Sequence, residues 1–127
     1  MNYIDLNKKL NELKIEEVVW IIYIGIIIYS FYSNSLERKY YLTGNKIIKE
    51  KYRKSLIIIF SILLIIYLYF FKDSYDSINE LNELDSYEKK KYTYLSFLGS
   101  FFIVLSGIIF LYIAYNDESL DVEIAFN

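Results

Sequence analysis

Side chains able to do chemistry are few in this sequence, and none forms a recognisable reactive set. Histidine and cysteine are both absent. That removes imidazole bases, thiolate nucleophiles, His or Cys metal ligands, c-type haem attachment and disulfides. Serine proteolysis would then need a Ser–Lys pair. Every lysine lies at or beyond the ends of the uncharged stretches, so no such pair is supported. The acidic residues Asp73, Asp76, Glu80, Glu83 and Asp85 raise the question of calcium. They lack the glycine turn and alternating ligands of an EF-hand loop, and are read as a solvated helix face. No Walker loop and no dinucleotide glycine fingerprint occur. The expectation is no enzyme, no cofactor and no metal. A net charge of −2 offers no bulk basicity for nucleic acid.

The charges matter more for where they are missing. All 30 Lys, Arg, Asp and Glu residues fall outside three windows of 19, 17 and 25 residues, at 18–36, 55–71 and 92–116. A helix of a soluble protein this size keeps charge on its solvent face. Here the apolar residues run all round, as in VVWIIYIGIII, LIIIFSILLIIYLYFF and FFIVLSGIIFLYIAY. At about 1.5 Å per residue the windows span roughly 25 to 37 Å, against about 30 Å of hydrocarbon. The shortest, 55–71, reaches only about 25 Å and falls short of the full hydrocarbon thickness. Ile and Val favour strands in water, but lipid cannot satisfy a lone strand's N–H and C=O groups. The sequence predicts an all-α integral membrane protein of three transmembrane helices with short amphipathic surface helices, multi-pass in a cell membrane.

Aromatic residues flank the windows. Trp20, Tyr29 and Tyr32 belong to the first, Tyr67 and Tyr69 to the second, and Tyr92, Tyr94, Tyr112 and Tyr115 to the third. They are predicted lipid-interface anchors, ring buried and hydroxyl wet. Twelve Lys against two Arg, with abundant Ile, also fit an AT-rich coding bias. The leader carries Lys8, Lys9 and Lys14 against Asp5, Glu12, Glu16 and Glu17. It is no basic signal-peptide n-region, despite Ser33 and Ser35 as small residues near a possible cleavage point, so the first window is expected to stay as a membrane helix.

Orientation rests on the segment between the first two windows. Arg38, Lys39, Lys46, Lys49, Lys51, Arg53 and Lys54 make it the predicted cytoplasmic side, with the N-terminus outside. The third window disagrees, because Lys89, Lys90 and Lys91 precede it and no basic residue follows. The proposed topology leaves seven basic residues on each side, a zero bias that fits a weakly oriented protein, dual topology or a second window that dips without spanning.

The remaining segments carry weaker patterns. Residues 1–17 place Tyr3, Leu6, Leu10 and Leu13 on one face, as an amphipathic helix on the bilayer or a partner, or as an extension of the first span. Residues 18–116 form one three-helix domain. Thr43-Gly44-Asn45 predicts a helix break, or a small hairpin. Ser77 and Glu80 have capping-box spacing, and Ile78, Leu81, Leu84 and Tyr87 then predict a short surface helix. The acidic tail, 117–127, alternates apolar and acidic residues from Leu120 to Phe126, as a half-buried strand does, or frays.

Small residues in the third window are the candidate packing sites. Ser100, Gly107 and Ala114 recur every seven residues, Gly99 and Ser106 do so one position earlier, and Ser96 stands four before Ser100. Such residues let helix backbones approach in lipid. Packing against the other two helices, homo-oligomerisation and docking to a larger membrane protein all use them.

Two functions follow as expectations. One is a non-enzymatic protein of a bacterial cytoplasmic membrane that binds the lipid bilayer and a membrane-protein partner, as an immunity or accessory subunit. In layout, a compact Tyr/Ile/Lys-rich three-helix chain with charged loops, it resembles membrane immunity proteins. The alternative is a self-assembling, holin-like pore former. Many holins end in a basic cluster, whereas this chain ends with Asp117, Glu118, Asp121 and Glu123.

Overall fold

The computed structural model describes residues 2–116, so the predicted acidic tail lies outside the described residues. Three helices hold 91% of the described residues, and there is no strand among them. They are α1 (Tyr3–Thr43), α2 (Lys46–Asn79) and α3 (Tyr87–Asn116). Each is long and apolar enough to cross a membrane. The chain divides into two compact units, Met1–Lys49 and Glu50–Asn127.

The first unit is essentially α1. Asn2 caps it, its Oδ1 accepting from the Asp5 N–H at 2.8 Å. The helix runs through the junction at 17–18 without interruption. Residues 3–17 are therefore helical as expected, but as an extension of the first span and not as a separate surface helix. The reason is local: from Tyr3 to Thr43 there is no proline, and one glycine, Gly25, so nothing breaks the ladder. At 41 residues α1 is about 62 Å long, roughly twice the hydrocarbon thickness. Its exit is the predicted break. Gly44 takes φ 65°, ψ 16° and donates its N–H to Tyr40 O at 2.7 Å, a left-handed cap that glycine adopts without a Cβ clash. Asn45 restarts the chain as a helix, its Oδ1 accepting from Ile47 N–H at 2.8 Å. No hairpin forms at this point.

The second unit pairs α2 with α3. Arg53 lies by Ala114, Phe60 by Phe110, Phe71 by Phe97 and Phe101, and Ser74 by Ser100. Rising numbers on α2 meet falling numbers on α3, so the pair is antiparallel. This register sets 55–71 opposite α3 from Phe101 onward. Tyr92–Ser100 then stands beside the charged turns that begin at Lys72. The uncharged window of α3 thus extends past that of α2 to the level of these polar turns.

The connection differs from expectation. Ser77 does not cap a new helix; its hydroxyl donates to Asp73 O at 3.0 Å inside α2, which continues to Asn79. A turn replaces the predicted surface helix. Asn82 Oδ1 accepts from Leu84 N–H, and Asp85 Oδ2 accepts from Asn82 N–H, both at 2.9 Å. Ser86 then caps α3, accepting from Lys89 N–H at 3.1 Å. These polar side chains supply the backbone partners that the spacing of Ile78, Leu81 and Leu84 cannot. Asp85 also meets Lys89 Nζ at 3.1 Å. The Asn82 N–H first, and Lys89 second, hold its carboxyl below the ordinary carboxylate range.

Two outcomes test these joints in detergent micelles, by denaturant unfolding followed with far-UV circular dichroism. Gly44→Ala should cost about 1 kcal/mol, because alanine at positive φ is strained. Because the folded state depresses the Asp85 pKa, its contribution is complete above the unfolded value. It should be lost as pH falls below about 4, and Asp85→Asn should remove that part of the acid sensitivity.

Candidate helix-packing interface

Lipid tails are as apolar as leucine, so helix association within the bilayer depends on close approach and on hydrogen bonds. The α2–α3 seam has both. A Cβ built on Gly107 would sit 3.2 Å from Leu64 Cδ1 and 3.3 Å from Tyr67 Cδ2. Only hydrogen fits there without displacing a neighbour. One heptad on, Ala114 is 0% exposed, and its carbonyl accepts from Arg53 Nε at 3.1 Å. One heptad back, the Ser100 and Ser74 hydroxyls lie 2.8 Å apart. Ser100 also reaches its own helix at Ser96 O, at 2.9 Å. A stacked Phe60–Phe110 pair, centroids at 5.6 Å, fills the level between Gly107 and Ala114, and a tilted Phe71–Phe97 pair at 5.1 Å lies on the other side of Ser100.

The small residues of α3 thus divide into two rows. Ser100, Gly107 and Ala114 face α2 and are used within the chain. Gly99 and Ser106 do not face α2. Both are exposed, and a Cβ at Gly99 would meet nothing within 4 Å. Ser106 gives its hydroxyl to Phe102 O in its own helix. Ser96, also exposed, borders an open polar cleft with Asp73, Ser74, Ser77 and Thr93.

Most predicted interface anchors are exposed: Trp20, Tyr32, Tyr69, Tyr92, Tyr94, Tyr112 and Tyr115. Several pair along their own helix, as Trp20 does edge-on with Tyr23 at 5.7 Å and Tyr32 does with half-buried Tyr29 at 5.6 Å. Tyr67 is different. It is half-buried, and its ring edge lies against Gly107 in the seam.

In the first unit, Arg38, Lys39 and Lys46 are exposed, while Lys49 Nζ lies 5.5 Å from the Tyr40 ring centroid. In the second, Lys51 and Lys54 are exposed and Arg53 is half-buried. The sequence placed Arg53 among topogenic cations, and its role as a C-terminal cap for α3 was not foreseen. A signal existed: the last turn of α3 has no basic residue of its own, so its carbonyls need a donor from elsewhere. Ser74 was missed too, because its partner is distant in sequence.

Comparison with protein-family models, curated proteins and solved structures finds no match.

The two rows make opposite predictions. Gly107→Leu should destabilise the helix pair by roughly 1–3 kcal/mol through overpacking. Gly99→Leu should stay within about 0.5 kcal/mol of the parent. Unfolding titrations in micelles measure both; equal losses would contradict the division.

Proposed function

We propose that this chain is a small non-enzymatic protein of a bacterial cytoplasmic membrane that acts by binding another membrane protein, as an immunity or accessory subunit. The observation that carries this reading is the outward row on α3. Ser100, Gly107 and Ala114 already close the helix pair, which leaves Gly99 and Ser106 without a use inside it. In lipid, a Gly/Ser face is a place for a second backbone to approach.

The polar groups in the spans favour binding over pore formation. A pore wall needs polar groups turned toward water. Ser30 and Ser106 instead donate to carbonyls one turn back in their own helices. The uncharged windows also contain no carboxylate or ammonium that an ion-coupled carrier would use. The basic segment Arg38–Lys54 supports an orientation with that end in the cytoplasm.

Purification of the full chain from its own membranes in mild detergent should bring down a stoichiometric partner. Gly99→Phe should lose that partner while unfolding like the parent. A chain that emerges alone and monodisperse, or rapid loss of membrane potential on overexpression, would overturn the reading. Orientation is tested separately, since the chain lacks cysteine. Lys46→Cys should resist an impermeant maleimide added outside intact cells, and Leu84→Cys should react.

A further inference from the structure

The continuous α1 helix leaves an apolar stripe outside the lipid. The uncharged stretch 18–36 is about 28 Å long as helix and accounts for one crossing. Residues 3–17 therefore extend about 22 Å beyond it. On that extension Tyr3, Leu6, Leu10 and Leu13 are 76%, 46%, 47% and 49% exposed. The same 3–4 spacing continues through Glu17 and Trp20. The spacing is that of a coiled-coil seam, with Tyr3, Leu10 and Glu17 at a and Leu6, Leu13 and Trp20 at d.

Two occupants are disfavoured by what is on the helix. The bilayer surface would require the chain to bend at 17–18, where α1 is unbroken. A second copy inserted in the same direction must pair in parallel. That register sets Glu17 against Glu17 and Glu16 of its neighbour, and Lys9 against Lys14 at the flanking g and e positions. A copy inserted in the opposite direction carries its extension on the other side of the bilayer. The seam is built against self-pairing.

We propose that the Tyr3–Leu6–Leu10–Leu13 face docks a helix of a different membrane protein. That helix presents an apolar heptad stripe, a Lys or Arg opposite Glu16 and Glu17, and carboxylates beside Lys9 and Lys14. The inference rests on the reading of the chain as a binding protein and adds the water-side surface and the partner's chemistry.

The test uses full-length chain in bilayer nanodiscs and two synthetic helices with leucine at their a and d positions. One carries Lys opposite Glu17 and Glu opposite Lys9 and Lys14; the other has these charges exchanged. Fluorescence anisotropy should show the first binding about tenfold more tightly than the second. The triple variant Lys9→Glu, Lys14→Glu, Glu17→Lys should reverse that order, and Leu10→Asp should abolish binding of both. Equal binding of the two peptides, binding to empty nanodiscs, or no binding would overturn the inference. So would efficient disulfide dimerisation of Leu13→Cys in an otherwise unaltered chain. Any of these, with partner co-purification still sensitive to Gly99→Phe, removes this surface alone; membrane depolarisation on overexpression removes the underlying reading with it.

Discussion

Everything in this structure follows from a solvent that offers no hydrogen bonds. In hydrocarbon each unpaired N–H or C=O costs several kcal/mol, so the backbone must satisfy itself within one segment. Runs such as IIYIGIIIYS and LIIIFSILLIIY, rich in residues that favour strands in water, are helical here for that reason. The same rule governs hydroxyls. Ser30 and Ser106 return their protons to carbonyls four residues back, which keeps a polar side chain at depth without a water. It also governs helix ends. Where α3 finishes, Arg53 comes from α2 to bind the Ala114 carbonyl, since α3 supplies no cation there itself.

With no hydrophobic drive between helices in lipid, shape decides which faces meet. Gly107 permits Leu64 and Tyr67 to close on the α3 backbone, and that contact fixes the level at which the two helices pair. The aromatic pairs then follow in sequence on either side, Phe60 with Phe110 and Phe71 with Phe97. Once this register is set, Ser74 can reach Ser100, and the charged turns after Phe71 stand beside Tyr92–Ser100.

What the sequence disclosed, and what it withheld, divides along the same line. Missing charge gave the three helices, because desolvating a charge is expensive at every position and needs no partner to be recognised. Gly44 gave the break between α1 and α2, because a positive φ is a property of one residue. The heptad of Ser100, Gly107 and Ala114 was legible as packing, but not its destination. Gly99 and Ser106 have the same spacing, and only geometry separates the row that meets α2 from the row that does not. The Ser77–Glu80 spacing misled for a related reason. Capping signals compete, and Asn82, Asp85 and Ser86 together satisfy more of the connecting backbone than Ser77 alone. Arg53 and Tyr67 were assigned by type, to a topogenic cluster and an aromatic belt. The seam uses their reach and shape instead.

A helix that crosses from lipid into water changes the meaning of its own side chains along its length. Inside the bilayer an Ile or Leu on the α1 surface is merely solvated, and it carries no information about a partner; a glycine does. Past Glu17 the solvent is water, and the values reverse. There each exposed leucine leaves apolar area unburied at about 25 cal/mol per Å², while the charges between them decide which surface can cover it. Because α1 does not bend at the boundary, the stripe that is neutral at Ile24 and Ile27 becomes unfavourable at Leu13, Leu10 and Leu6. The break that would lay those leucines on the membrane is missing, and Glu17 in the seam opposes a matching copy. The sequence at 3–17 is thereby under two constraints that a plain helical extension would not need: an apolar face that water penalises, and charges on its flanks that discriminate among the helices able to relieve that penalty.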